Sequence, residues 1–368
     1  MNKKKIKVLQ VLPCLTQTNG IAAYISNYFK YMDKKNLEMY FLVFTPSSND
    51  RNKEIIKFGG KIIELYIEKN LFRYLSKLNR LIKKEKFDII HCHVPNYGAL
   101  IMPIAKMNKI PIRITHSHVN KSGETLLKRV RNDILSQISV LFSNKYLACS
   151  DDAGKFLFYK KKFVVIKNAI EVKKYEYSKD LRMKYQKKYN IENKFVVAQF
   201  GRLCNQKNQL FTIEIFNEIL KKNNNSVLIL AGDGPLEEKI RIKIKELNIE
   251  DNVILTGSCK ELNELYSCID IFLLPSKYEG LGIVLIEAQA NGVKCFTALN
   301  CVPQTAAITD LVKYISLEKN AKYWCDEIIS TDIKRKQVSD LIDKNGYNIQ
   351  LEAKKLNDIY IKFMKEEM

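Results

Sequence analysis

Two glutamates that flank a glycine-rich turn, Glu279 and Glu287, are the residues best suited to binding a polar ligand. Between them lies Gly280-Leu281-Gly282-Ile283, after an apolar segment that predicts a strand. Glycines there predict a tight turn at the strand edge where open α/β sheets bind ligands. The following helix would offer free N–H groups to a phosphate, and the carboxylates would accept hydrogen bonds from hydroxyls. We expect Glu287 about two turns into that helix, although a capped helix with a solvated glutamate would give the same pattern.

A second polar loop follows another predicted strand and is cationic. Gly201-Arg202 ends the strand, and Lys207 lies before the next helix. An arginine fork and a flexible ammonium would suit a diphosphate, although two surface cations would give the same pattern. A third loop, Gly232-Asp233-Gly234-Pro235, ends the next strand and is typical of a structural turn.

All four histidines occur in two pairs, His91-Cys92-His93 and His116-Ser117-His118. Side chains alternate along a strand, so each pair points to one side, and neighbouring strands would bring the four together. Three interpretations stay open: a zinc site, a packed polar strand end, or part of an active site. Zinc is the least favoured, because four protein ligands would close its coordination sphere and nothing else in the sequence requires a metal.

Positive charge is concentrated in the first half of the chain. The net charge is +21; residues 1–170 contain 31 Lys and Arg against 12 Asp and Glu, a net +19, whereas residues 171–368 carry +2. A one-sided basic domain predicts an anionic partner such as a nucleic acid, a membrane surface or a phosphorylated substrate, unless lysine use only reflects genome composition. Residues 71–84 and 126–131 combine apolar and basic residues at helical spacing. They predict helices that lie on an anionic membrane or, equally, packed helices with a basic exposed face.

Short β-branched segments alternate with longer amphipathic ones, and the alternation restarts after residue 170. This pattern predicts two doubly wound parallel α/β domains, 1–170 and 171–348, and a closing helix over 349–368. The predicted strands are 6–12, 40–44, 62–65, 89–91, 112–115 and 146–148, then 196–200, 227–230, 253–255, 271–274 and 293–297. No apolar run approaches the roughly 18 residues that span a bilayer, and the basic start of the chain precedes a strand instead of a signal sequence. We therefore expect a cytoplasmic protein whose nine scattered cysteines are reduced.

The three glycine loops, in this order, resemble those of the retaining glycosyltransferases of family 4, especially bacterial capsule and exopolysaccharide enzymes. Ala148-Cys149-Ser150 and Val165-Ile166-Lys167-Asn168-Ala169-Ile170 add to a resemblance that covers nearly the whole chain. It implies the GT-B fold: two Rossmann-like domains that face a central cleft, with the C-terminal helix crossing back to the first domain. The implied activity is transfer of a hexosyl or N-acetylhexosaminyl group from a UDP-linked donor in the second domain. The implied partner of the first domain is a saccharide acceptor, lipid-linked, at the inner face of the cytoplasmic membrane.

The resemblance also implies a role for each motif residue. Arg202 and Lys207 would neutralise the diphosphate, Glu279 would bind the donor sugar, and Glu287 would bind the ribose. The other implied ligand contacts are the backbone of Gly201 and of Gly280, Leu281, Gly282 and Ile283 for the phosphates, Gly257 for the base, Asn19 and Gly20 near the donor phosphate, and His118 or, as second choice, His116 for the donor sugar or acceptor. Asn208, Ala169 and Thr18-Asn19-Gly20-Ile21 depart from the family's glycines, but asparagine tolerates a positive φ, so the turn at Asn19 should survive.

The sequence contains no Asp-x-Asp triplet, so the metal clamp of the other large glycosyltransferase fold is missing and we expect no metal or other cofactor. The resemblance implies retention through a front-face displacement. Two other function classes remain as alternatives, a sugar-nucleotide epimerase of the same fold and a basic nucleic-acid-binding protein. The paired glutamates and Val302-Pro303-Gln304 favour transfer over epimerisation, and no nucleic-acid-binding motif is recognisable.

Overall fold

The computed structural model describes residues 5–16, 19–47, 49–118, 125–259 and 261–367. The basic residues 1–4 and Thr18 of the first-loop motif therefore lie outside the described residues. The chain divides into two compact units: unit 1 comprises Met1–Ala169 and Ile349–Met368, and unit 2 comprises Ile170–Asn348. Each unit has its own parallel sheet and its own hydrophobic core.

Over its described residues, unit 1 is built on a seven-stranded parallel sheet in the order β3-β2-β1-β4-β5-β6-β7. Its elements are β1 (Ile6–Leu12), α1 (Gly20–Tyr31), β2 (Leu37–Val43), α2 (Asn49–Lys57), β3 (Lys61–Glu64), α3 (Leu71–Glu85), β4 (Ile89–Cys92), α4 (Pro95–Met107), β5 (Ile112–Ser117), α5 (Leu126–Phe142), β6 (Lys145–Ala148), α6 (Asp151–Phe158) and β7 (Val164–Val165). The strand order reverses at β1, which pairs with both β2 and β4. Such a reversal is where doubly wound sheets open a crevice for a ligand.

Unit 2, in the part described, contains a six-stranded parallel sheet in the order β10-β9-β8-β11-β12-β13. Its elements are α7 (Val172–Tyr175), α8 (Lys179–Tyr189), β8 (Phe195–Phe200), α9 (Gln209–Lys222), β9 (Ser226–Ala231), α10 (Glu237–Glu246), β10 (Val253–Gly257), α11 (Leu262–Leu265), β11 (Ile271–Leu274), α12 (Ile283–Ala290), β12 (Lys294–Ala298), β13 (Val312–Ile315), α13 (Ala321–Ile329) and α14 (Ser339–Ile342). The last helix, α15 (Ile349–Glu366), belongs to unit 1 and packs against α1.

The prediction of two doubly wound parallel domains is confirmed. The central strands are buried along almost their whole length, as β9 illustrates, because helices cover both faces of a parallel sheet. Two strands were not predicted. β7 has only two residues, and β13 is an edge strand in which Lys313 is exposed, so neither presents a continuous apolar run.

Several helices begin directly after a capping side chain at the carboxyl edge of the sheet. Asn19 caps α1, Asn70 caps α3 and Ser150 caps α6, each accepting a backbone N–H of the first turn. Such caps satisfy N–H groups that have no partner within the helix. Because every strand is parallel, the loops that precede these helices meet at the carboxyl edge of the sheet.

The two basic amphipathic segments have different surroundings. α3, α4 and α5 pack side by side. α3 buries Tyr74, Leu78 and Ile82 but exposes Phe72 in its first turn at 87%. α5 also exposes apolar residues over its first turns, with Leu127 at 85% exposure. Within the described ranges, no helix is both long enough and apolar enough to span a bilayer.

Substitution of Gly98 tests how closely α4 packs against α5. A Cβ at this position would lie 2.1 Å from Oγ of Ser139 on α5. We predict that Gly98→Ala lowers the free energy of unfolding by about 2 kcal/mol, because a packed interface must move apart. Gly20→Ala is the control: its Cβ would meet nothing within 4 Å at the start of α1, so stability should change by less than about 1 kcal/mol. Urea unfolding followed by circular dichroism measures both, and equal effects would contradict the packing argument.

Candidate functional site

The glycine loops of unit 2 are joined by backbone hydrogen bonds at the carboxyl edge of its sheet. Gly201 N–H donates to Ala231 O at 2.8 Å, and Gly232 N–H donates to Gly257 O at 2.9 Å. A Cβ on Gly232 would lie 2.1 Å from the Gly201 carbonyl oxygen. Only glycine allows this approach, so the loop at Gly232 acts as a structural turn that supports the Gly201 loop.

The loop after Gly201 is also fixed to the loop after β11. Lys277 N–H donates to Gln206 O at 2.8 Å, and Gln206 Nε2 donates to Tyr278 O at 3.0 Å. Asn208 has a φ of +59° and donates through its side chain to Pro275 O at 3.1 Å. Asn208 thus adopts the left-handed conformation that glycine would adopt here, and its side chain adds a bond that glycine could not make.

These loops bring Lys207 and Glu279 into direct contact. Lys207 Nζ lies 2.6 Å from Glu279 Oε1, and the two side chains are only 16% and 7% exposed. Gln199 Nε2 donates to Lys207 O at 2.6 Å, and Thr212 donates to the other end of that amide at 2.6 Å. The sequence predicted separate ligands for the two charges but did not predict this ion pair. Together they present one ammonium and one carboxylate on a rigid support.

Glu287 lies one turn into α12, so the expected depth of two turns was wrong. The helix begins at Ile283, and Gly282 is its N-cap with a φ of +80°. Gly280, Leu281 and Gly282 therefore form a loop, with the Leu281 side chain buried in the core. No side chain caps this helix, which leaves its first N–H groups directed at the loop.

Two tyrosines hold the Glu287 carboxylate, and sequence reasoning missed both. Tyr175 donates to Oε1 at 2.9 Å and Tyr266 donates to Oε2 at 2.8 Å. Burial raises the pKa of Glu287, while the two hydroxyls and the charge of Lys207 act in the opposite direction. The tyrosines lie on different elements with no motif around them, so no local signal could have identified them.

Arg202 and Gly257 border the same loops. The Arg202 side chain is exposed, and its carbonyl oxygen accepts a hydrogen bond from Gln209 Nε2 at 2.9 Å. In the described part of the chain, no carboxylate lies within ion-pair distance of its guanidinium. A Cβ on Gly257 would meet nothing within 4 Å. This edge of unit 2 therefore offers an available cation beside open space.

In unit 1, the four histidines pack as two hydrogen-bonded pairs at the ends of β4 and β5. His91 Nε2 lies 3.0 Å from His116 Nδ1, with the rings within 6° of coplanar, and His93 Nδ1 lies 2.9 Å from His118 Nε2. The two rings on each strand pack against each other, with centroids 4.1 and 4.0 Å apart and ring planes inclined by 31° and 24°. Burial lowers the pKa of all four imidazoles, so they are neutral at neutral pH.

Two further side chains complete this cluster, and sequence reasoning missed them. Gln10 Oε1 accepts from His93 Nε2 at 2.7 Å, and Gln10 Nε2 donates to the Tyr360 hydroxyl at 2.9 Å. The same hydroxyl lies 2.6 Å from His91 Nδ1. β1, the ends of β4 and β5, and α15 therefore share one buried network of hydrogen-bonded polar groups.

The histidines are also placed closely enough to be considered as metal ligands. One nitrogen each from His91, His93 and His116 lie within 4.8 Å of one another. The centroids of His91 and His116 are 5.2 Å apart, so the two bonded nitrogens point head-on at each other. A metal ion would need both lone pairs and would break this bond. The expected absence of a metal stays a prediction.

The loop after β1 uses Asn19 for capping. Asn19 Oδ1 accepts the N–H of Ala22 at 2.9 Å, and Gly20 begins α1 in open surroundings. Asn19 has a φ of −88°, so the positive φ expected at this turn was wrong: the residue takes the extended conformation of an N-cap. The side chain expected near a donor phosphate is thus engaged by the backbone, and Gly20 beside it is exposed.

Two protein-family models match the chain in succession. The model described as glycosyltransferase family 4 matches residues 18–174, and the model described as glycosyl transferases group 1 matches residues 182–345. The first match covers most of unit 1 before α15, and the second covers nearly all of unit 2.

Curated relatives match along most of the chain. The putative glycosyltransferase EpsF of Bacillus subtilis is 25% identical over 98% of this chain and 97% of its own length. The capsular polysaccharide biosynthesis glycosyltransferase CapH of Staphylococcus aureus is 26% identical over 89% and 91%. An Escherichia coli enzyme named UDP-Gal:α-D-GlcNAc-diphosphoundecaprenol α-1,3-galactosyltransferase is 26% identical over 84% and 81%.

A solved structure with the same fold is that of HepE from Anabaena, in complex with UDP and glucose. It superposes with a TM-score of 0.78 over 98% of this chain and 99% of its own, at 16% identity. An identity this low supports the fold alone, and the fold is two Rossmann-like domains of the GT-B type.

The buried ion pair yields a stability prediction. Lys207→Met leaves the Glu279 carboxylate without its partner in a mostly buried position, which should lower the free energy of unfolding by about 3 kcal/mol. The double variant Lys207→Met/Glu279→Gln removes both charges and should recover about half of that loss. Urea unfolding of the two variants tests the idea, and an equal loss in both would show that the charges do not stabilise each other.

Proposed function

Because the chain belongs to the glycosyltransferases that join a family 4 domain to a group 1 domain, we propose that it transfers a sugar from a UDP-linked donor to a lipid-linked saccharide. The anomeric configuration is retained and no metal takes part. The transferred group is a hexosyl or an N-acetylhexosaminyl unit. The family supports this reading over the epimerase alternative left open by the sequence. The observation that carries the proposal is the Lys207–Glu279 pair beside the uncapped start of α12.

The chemistry follows from the charges at this edge of unit 2. Lys207, the exposed Arg202 and the N-terminus of α12 supply positive charge for a diphosphate. Their effect grows as negative charge develops on the leaving phosphate, which is how fixed charges lower a barrier. Glu279 and Glu287 accept hydrogen bonds from sugar and ribose hydroxyls. Three fixed sources of positive charge substitute for the missing metal clamp.

The names of similar proteins support the donor and the acceptor that we propose. The solved HepE complex contains UDP and glucose. The name of the E. coli relative gives UDP-Gal as donor and a diphosphoundecaprenol-linked sugar as acceptor, and CapH acts in capsular polysaccharide biosynthesis. The CapH name supports a role in capsule or exopolysaccharide synthesis, and the E. coli name supports a lipid-linked acceptor.

Turnover should depend on the ion pair and not on a divalent metal. With a panel of nucleotide sugars and an undecaprenyl-diphosphate saccharide, we expect release of nucleoside diphosphate from a UDP sugar, unchanged by EDTA. Lys207→Ala and Glu279→Ala should each lower kcat by about 100-fold to 1000-fold, the range for one group that stabilises transition-state charge. Lys221→Ala is the control, because its exposed side chain pairs with Glu218 on the outer face of α9.

Three outcomes would contradict this reading. Release of no nucleoside diphosphate under any condition would refute transfer, and loss of activity in EDTA that Mg²⁺ restores would refute metal independence. Near-normal turnover in either ion-pair variant would refute the site.

The start of α5 has the composition that suits an anionic membrane. Leu126, Leu127 and Val130 are 74%, 85% and 51% exposed, and Lys128 and Arg131 lie among them on the same turns. An exposed apolar stripe among basic residues inserts between lipid headgroups while its cations attract the anionic surface. A lipid-linked acceptor is presented at such a surface. We therefore propose that α5 docks unit 1 on the inner face of the cytoplasmic membrane.

Co-sedimentation with vesicles tests this docking. Binding to vesicles with 30% anionic lipid, a composition chosen for the assay to give a negative surface, should exceed binding to neutral vesicles and should fall in high salt. Leu126→Ser/Leu127→Ser should weaken it several-fold without unfolding the protein. Leu351→Ser is the matched control, since Leu351 is an apolar residue of α15 that is 64% exposed. Equal binding to both vesicle types would refute the membrane role.

A further inference from the structure

The buried histidine pairs end at one side chain that reaches the surface. His118 is partly exposed, whereas His91, His93 and His116 are buried, and all four lie in the described part of the chain. We propose that Gln10 fixes the tautomer of His118 through His93, so that Nδ1 of His118 presents a lone pair to a hydroxyl of the saccharide acceptor. This inference rests on the proposed transferase function and adds a positioning residue, Gln10, which the sequence did not indicate.

The direction of the hydrogen bonds follows from the amide. Gln10 Oε1 has no hydrogen, so His93 must donate to it from Nε2. A neutral imidazole has one N–H, so His93 Nδ1 is an acceptor and receives the hydrogen of His118 Nε2. His118 is then left with an unprotonated Nδ1. Among the described residues, none forms a hydrogen bond with that nitrogen.

A second series of hydrogen bonds starts from Nε2 of the same amide. Gln10 Nε2 donates to the Tyr360 oxygen. The hydroxyl hydrogen then needs an acceptor, because a buried O–H without one is costly, and His91 Nδ1 lies 2.6 Å away. Donation to His91 puts the hydrogen of His91 on Nε2, facing His116 Nδ1, and leaves the buried Nε2–H of His116 without a partner among the described residues. The reverse direction leaves the Tyr360 hydrogen without an acceptor, so the amide fixes the tautomers of His93 and His118 and not those of His91 and His116.

The surroundings of the four imidazoles keep them neutral, so each ring carries a single N–H hydrogen. The groups that contact them are Gln10 of β1, Tyr24 of α1 and Tyr360 of α15. Within the described residues, no carboxylate forms an ion pair or hydrogen bond with any of the four imidazoles. Burial lowers the pKa of each ring, which opposes an imidazolium at neutral pH. A neutral His118 with a fixed tautomer can only accept at Nδ1, which matches a donating sugar hydroxyl.

Nitrogen NMR reads these tautomers directly and does not depend on activity. The chain contains four histidines, so the long-range ¹H–¹⁵N spectrum of ¹⁵N-histidine protein shows four imidazoles, assigned by single substitutions. We expect His93 and His118 as Nε2–H tautomers at pH 7.5, with Nδ1 of His118 unprotonated. An Nδ1–H tautomer or an imidazolium at His118 would overturn the proposal. So would Zn²⁺ binding at one equivalent that converts His91, His93 and His116 to metal ligands.

Substitution of Gln10 then tests whether the amide is the cause. In Gln10→Met, His93 loses its acceptor, so His118 should populate both tautomers and kcat/KM for the acceptor should fall about tenfold, the size of one hydrogen bond to a substrate hydroxyl. In Gln10→Glu, the ionised carboxylate accepts from both His93 and Tyr360. His118 should stay Nε2–H and keep near-normal activity.

The matched control is Gln137→Met, since Gln137 donates to Leu157 O in the same unit and contacts no histidine. It should leave the histidine spectrum and kcat/KM unchanged. A His118 tautomer that is the same in Gln10→Met as in the parent protein would overturn the role of Gln10. Failure of the transferase proposal is distinguishable, because it would abolish nucleotide release while leaving the NMR result intact.

Discussion

Parallel strand pairing is the constraint on which both candidate sites depend. In a parallel sheet all strands end at the same edge, so the loops that follow β8, β9, β10 and β11 meet although the chain separates them widely. The backbone bonds from Gly201 to Ala231 and from Gly232 to Gly257 then lock the loops together. Without this locking, Lys207 would be a flexible side chain on a loop. With it, the ammonium has one position.

Both sites consist of buried polar groups that are held mainly by one another. Lys207 pairs with Glu279, two tyrosines hold Glu287, and Gln10 orients His93 and His118. In a poorly polarisable interior such bonds are strong when complete and costly when one partner is removed. A ligand therefore meets groups whose positions and hydrogens are already set, which reduces what binding must reorganise.

The basic helices α3 and α5 of the first half have surroundings that can be compared. On α3, Lys77 and Arg73 both pair with Glu68, and Leu78 and Ile82 are buried while Phe72 is 87% exposed. The first turns of α5 combine cations with exposed leucines. Both helices therefore have exposed apolar residues among basic ones near their starts, and α3 also buries an apolar face against the core.

The sequence by itself determined the two doubly wound domains and the loops around residues 201–207 and 279–287, because hydrophobic periodicity and glycine turns are local properties. It did not predict the contact between Lys207 and Glu279, the tyrosines around Glu287, or Gln10 and Tyr360 among the histidines. It also placed Glu287 one turn too deep, since the helix start depends on Gly282 adopting a positive φ. These features were decided by tertiary structure alone, because they join side chains that are distant along the chain and that no local pattern relates.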